Sequence, residues 1–151
     1  MKYIAYGSNM IKEQMSYRCP NAQLIGMGYL TGYKLEFYLH ATVMPCEDKD
    51  ARVPVAVWEI DRRDEMSLDR YEGYPNYYTK ETCTVQMLDG SQIEGMVYIM
   101  RWIRVAPPSE IYYHGIRSAY IELGMQHEIK KVLAPALRRS KRRGVQYLKL
   151  R

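Results

Sequence analysis

A chain of 151 residues with 47% hydrophobic and 26% charged residues suits a single globular domain and excludes a disordered, charge-dominated segment. No apolar run is long enough for a membrane helix. The net charge of +5 is uneven: Arg138, Arg139, Lys141, Arg142, Arg143, Lys149 and Arg151 carry it, and without these seven it turns to −2.

Tyr3 to Tyr6 is expected to form a short strand ending at Gly7. Ser8 or Asn9 is placed to cap a short helix from Met10 to Ser16. Ala22 to Tyr38 carries Gly26, Gly28 and Gly32 among apolar residues, the pattern of bulged or bent strands. Val53 to Ile60 is a clear strand whose Pro54 marks its start or an edge, and Asp61 is a good N-cap for a helix to about Tyr71. Tyr77–Leu88 and Gln92–Trp102, separated by Asp89-Gly90, read as a hairpin. After Ala106-Pro107-Pro108, Ser109 is expected to cap a helix with an apolar stripe at Ile111, Ile116 and Ile121, ended by Gly124. Met125 to Leu137 reads as a further helix, shortened or kinked at Pro135. Strands first and helices later predict an α+β domain.

Two domain segments are expected: residues 1–137 as the folded unit and 138–151 as a basic, solvated tail with a small apolar cluster at Val145, Tyr147, Leu148 and Leu150. Cys19, Cys46 and Cys83 are odd in number and unpaired in spacing, so neither a disulfide framework nor a zinc site is predicted. His40, His114 and His127 have no ligand-spaced partner, and no metal is expected. The N-terminus lacks an apolar signal-peptide core, so a cytoplasmic location is expected.

Two segments carry chemistry. Tyr6-Gly7-Ser8-Asn9 follows a strand directly, and a turn of small polar residues there can aim several backbone N–H groups at one carboxylate or oxyanion. Leu68-Asp69-Arg70-Tyr71-Glu72-Gly73-Tyr74-Pro75-Asn76-Tyr77-Tyr78 sets a carboxylate among tyrosines at a helix end, where desolvation raises a carboxyl pKa toward that of a general base. Alone, each has an ordinary alternative, a plain turn and a solvated loop glutamate.

Together, with Ala41-Thr42-Val43, Val53 to Trp58 and the late Ala106-Pro107-Pro108-Ser109-Glu110-Ile111-Tyr112, these segments resemble the γ-glutamylcyclotransferase-like superfamily, which includes the AIG2-like proteins. The resemblance runs from about Tyr3 to Leu137. It implies a curved or barrel-like mixed sheet surrounded by helices. It also implies an enzyme in which the α-amine of a γ-glutamyl amide attacks its own γ-carbonyl, releasing 5-oxoproline and a free amine. Glu72 matches the catalytic glutamate, and Tyr6, Gly7, Ser8 and Asn9 match the loop that holds the glutamyl group. Tyr78, Tyr98 and Tyr112 match pocket tyrosines, with Tyr77 a rival to Tyr78 because the spacing from Glu72 is one residue short. The expected partner is a small γ-glutamyl compound, with no cofactor, no membrane and a monomeric or weakly dimeric state. A non-catalytic binding protein of the same fold is the alternative, and a nucleic-acid-associated protein acting through the basic tail ranks last.

Overall fold

Five strands close into a barrel, one of them apolar on both faces. A computed structural model describes residues 1–144. In order around the barrel lie β1 (Lys2–Ala5), β5 (Arg52–Glu59), β2 (Gln23–Thr31), β6 (Tyr78–Met87) and β7 (Gln92–Met100). Every residue of β5 from Val53 to Trp58 is buried, the continuous run expected of a strand covered on both sides. All pairings are antiparallel except β1 with β7, which closes the ring in parallel at Tyr3 and Met96. The sheet is therefore mixed, and the domain is the α+β barrel expected. Pro54 pairs only with Tyr29 of β2, because β1 reaches no further along β5 than Ala56. Its missing N–H therefore breaks no ladder with β1.

The remaining strands, β3 (Tyr33–Tyr38) and β4 (His40–Pro45), form a separate hairpin that touches β5 and β7. The bulge anticipated near the glycines falls in β2 between Leu24 and Gly26. Gly28 lies where β2 meets β5 and β6 at once, and a Cβ there would stand 2.6 Å from the Gln86 carbonyl and from Val85 Cγ1. Gly28→Ala is expected to destabilise the barrel by about 1–3 kcal/mol through overpacking. Thermal unfolding checks this, and an unchanged melting temperature would contradict it.

The helices are α1 (Lys12–Arg18), α2 (Arg62–Glu72), α3 (Glu110–Glu122) and α4 (Ala134–Arg143). Asp61 caps α2 in a reciprocal box with Asp64, and Ser109 caps α3 through the Tyr112 N–H, both as the sequence indicates. Three expectations are corrected. Neither Ser8 nor Asn9 caps a helix at Met10; Ser8–Met10 is a 3₁₀ turn and Ile11 precedes α1. In α3 the buried face is Tyr113, Ile116, Ala119 and Tyr120, while Ile111 is 88% exposed and Ile121 half-exposed. At about 100° per residue, a five-residue spacing rotates about 140° away from one face, whereas steps of three and four stay on it. Pro135 sits in the first turn of α4 and starts that helix. The preceding Ile129–Leu133 turn is π-helical, which suits a ring that would clash with an ordinary helical carbonyl four residues back.

The solvated-tail expectation is corrected for Arg139 and Arg143. Both lie in α4, which packs on β3, and both pair with Glu36, which is 2% exposed. Arg139 Nε and Arg143 Nη1 donate to the two Glu36 oxygens at 2.8 and 2.9 Å, and the Nη2 groups of Arg139 and Arg143 donate to the Leu35 and Phe37 carbonyls respectively. The predicted cluster at Val145, Tyr147, Leu148 and Leu150 lies outside the described residues. No helix among the described residues is long and apolar enough to cross a membrane.

Candidate active site

β1 delivers Tyr6 to the barrel's end, where the chain turns through Gly7 into the 3₁₀ turn. That turn's own bonds begin at Met10 N–H, which donates to the Gly7 carbonyl, and Ile11 N–H, which donates to that of Ser8. The N–H groups of Gly7, Ser8 and Asn9 precede the first of these bonds, as at any helix start. Trp58 Nε1 donates to the Asn9 carbonyl at 3.1 Å and anchors the turn to β5.

Glu72 is the last residue of α2, and Gly73 closes the helix at φ +65°, a conformation that favours glycine. The Asn9 side chain bridges the two segments. Its Nδ2 donates to Tyr3 Oη at 2.9 Å and to Glu72 Oε1 at 3.4 Å, while its Oδ1 accepts from Arg18. Glu72 is half-buried. Burial pushes its carboxyl up to about 7, against a smaller opposing pull from the Arg18 guanidinium. The C-terminal end of a helix, where carbonyls point outward, also disfavours a carboxylate.

Tyrosine rings from β6, β7, α3 and the residue that follows β1 wall the space between. Tyr6 donates to the Tyr98 carbonyl at 2.6 Å, Tyr78 to the Ala41 carbonyl at 2.7 Å, and Tyr98 to Asp69 Oδ1 at 2.6 Å. Tyr112 differs, since its oxygen accepts from the Ala41 N–H at 3.0 Å and its own proton stays available. Burial foremost pushes all four hydroxyls up, so they remain phenols at neutral pH. The result is a cavity of about 340 Å³. It is lined by Tyr6, Gly7, Ser8, Asn9, Glu72, Tyr78, Tyr98 and Tyr112, all eight site residues read from the sequence. Tyr77 lines it too, stacked on Tyr78 at 5.0 Å between ring centres.

Several contributors were not anticipated. Arg18 stacks 3.4 Å over the Tyr71 ring and reaches Ser8 Oγ at 3.4 Å. No sequence motif marks it. Asp69 stands three residues before Glu72 in the same helix, a spacing that puts both on neighbouring positions of one face, and it holds Tyr98. Lys80, between Asp69 and Glu65, balances that charge.

The family model described as "Gamma-glutamyl cyclotransferase, AIG2-like" matches residues 3–115. The gamma-glutamylcyclotransferase of Bos taurus is 29% identical over 142 residues, covering 87% of this chain and 76% of its own. A solved gamma-glutamyl cyclotransferase structure superposes with a TM-score of 0.77 at 27% identity, covering 87% of this chain and 86% of that one. An AIG2-like protein from Mus musculus shares the fold at a TM-score of 0.56 and 18% identity, over 66% of this chain and 76% of that one. The chain belongs to the gamma-glutamyl cyclotransferase, AIG2-like family.

Proposed function

We propose that the protein is a γ-glutamyl cyclotransferase that folds a γ-glutamyl amide into 5-oxoproline and releases the amine. The observation that carries this reading is Glu72, a carboxyl pushed up to about 7 and facing the Gly7–Asn9 turn across a cavity sized for a small molecule. The relatives named gamma-glutamylcyclotransferase support it independently.

In this reading the turn's N–H groups hold the glutamyl moiety and stabilise the oxyanion that forms at the γ-carbonyl. The Tyr112 hydroxyl, free to donate, supplies a further hydrogen bond. Tyr6, Tyr78 and Tyr98 are tied to the protein through their own hydroxyls and shape the wall. The α-ammonium loses two protons in becoming a lactam N–H, and the leaving nitrogen gains two in becoming an ammonium. Glu72 relays protons between the two nitrogens, the work of a carboxyl with a pKa near the operating pH. Attack is intramolecular, so holding the folded conformer supplies much of the acceleration. Two of the seven basic residues that suggested nucleic acid are engaged with Glu36, which weakens that alternative.

The test is a panel of γ-glutamyl amides, dipeptides and amines assayed for 5-oxoproline. Release from at least one compound is expected. Ligands that raise the melting temperature without any 5-oxoproline appearing would instead identify a binding protein.

A further inference from the structure

At the cavity mouth, one exposed side chain sits on an unusually constrained stretch of backbone. His40 follows Leu39, which adopts φ +64°, uncommon for a residue with a side chain. The Leu39 N–H donates to the Ala106 carbonyl at 2.7 Å. On the other side, Ala41 is gripped at both polar groups: its N–H donates to Tyr112 Oη at 3.0 Å and its carbonyl accepts from Tyr78 Oη at 2.7 Å. The residue between two such anchored neighbours has little freedom. Its imidazole is fixed as well, with Nδ1 3.0 Å from Tyr77 Oη and the ring edge-on to Tyr77 and Tyr112 at 5.9 and 5.4 Å. A strained turn that steadies an exposed polar group beside a cavity is the arrangement expected at a recognition site.

We propose that His40 is a specificity-determining residue, whose ring N–H at the cavity mouth donates to a hydrogen-bond acceptor on the leaving group. The inference rests on the cyclotransferase reading. Asn9 is buried and Glu72 half-buried while His40 is exposed, so a glutamyl group held beside Asn9 and Glu72 directs the leaving group toward His40 and Tyr77, which line the same cavity. Partial desolvation by the surrounding protein pushes the pKa of the exposed His40 ring down, aided by Arg104, and burial pushes the Tyr77 hydroxyl up. A neutral imidazole beside a phenol accepts at Nδ1 from Tyr77, which leaves the proton on Nε2 as a donor. Tyr77 is thus a positioning residue that sets the tautomer. A leaving group with a carbonyl or carboxylate oxygen near the leaving nitrogen satisfies that donor; a plain alkylamine does not.

The experiment compares kcat and KM on a γ-glutamyl dipeptide and on a γ-glutamyl alkylamide for the wild type, His40→Ala, His40→Gln and Tyr77→Phe. His40→Ala is expected to raise KM for the dipeptide about five- to tenfold, the worth of one hydrogen bond, with the alkylamide nearly unchanged. His40→Gln keeps an N–H donor and should recover most of the loss. Tyr77→Phe should move the dipeptide KM in the same direction by less. Equal effects of His40→Ala on both substrates, or none on either, overturn the role of His40 while leaving the cyclotransferase reading intact. A wild-type chain that forms 5-oxoproline from neither compound overturns both.

Discussion

Glu72→Gln is expected to lower turnover on any accepted γ-glutamyl substrate by roughly two to four orders of magnitude. Glutamine keeps the side chain's shape and its contact with Asn9 Nδ2 but carries no exchangeable acid–base proton. Affinity should hold, because in the proposed reading the turn at Gly7–Asn9 and Tyr112, not Glu72, hold the glutamyl group. Stability should hold or rise. The folded-state pKa of about 7 stands above the roughly 4.3 of a free glutamate, so the folded chain binds this proton more tightly than the unfolded chain. Stability therefore falls as pH rises from about 4.3 to about 7, and above that the full penalty of the buried charge is present. The Gln variant lacks this penalty, and its advantage in melting temperature should be largest above pH 7 and absent near pH 4. A variant that turns over at the wild-type rate removes Glu72 from the mechanism. One that unfolds makes it structural.

The double substitution Arg139→Ala/Arg143→Ala is expected to destabilise the protein by about 3–5 kcal/mol, the usual consequence of leaving a buried charge without its partner. Glu36 would lose both guanidinium groups, and the Leu35 and Phe37 carbonyls would lose donors. For a chain of this size the melting temperature should fall by roughly 6–20 °C. Lys141→Ala/Arg142→Ala, on the exposed side of the same helix, removes equal charge and should change stability by less than about 0.5 kcal/mol. Adding Glu36→Met to the first pair should restore part of the loss by removing the orphaned carboxylate. If the two double variants melt alike, the contacts of α4 with β3 contribute little and the run from Arg138 behaves as a solvated terminus.

The features legible in the sequence are those written in neighbouring residues. Asp61 announces the start of α2, Gly73 its end, and Asp89-Gly90 the turn between β6 and β7. The eight cavity residues were legible because they lie in two short, distinctive segments and two later tyrosines, and a resemblance to known proteins ties those together. What escaped depends on distance along the chain. Arg18 acts on Asn9 and Tyr71 through a helix with no motif of its own. Glu36 meets Arg139 across 103 residues, so in the sequence the basic residues that dock α4 read only as a solvated, basic tail. His40 owes its setting to Ala106, Tyr112 and Tyr77, none of them near it in sequence. The false stripe on α3 had another origin: three isoleucines five apart suggest periodicity, but the helix turns too far at that spacing for them to share a face.

The most direct test of the central claim, that a desolvated Glu72 relays the protons of cyclisation, is the pH dependence of kcat/KM for 5-oxoproline formation. Glu72 must be ionised in the free enzyme to accept a proton, so kcat/KM should rise with pH through a midpoint near 7, the value to which burial pushes its carboxyl. Glu72→Gln should lack that limb. A wild-type profile with its acid midpoint near 4, where an unperturbed glutamate titrates, or a limb near 7 that persists unchanged in Glu72→Gln, would contradict the account.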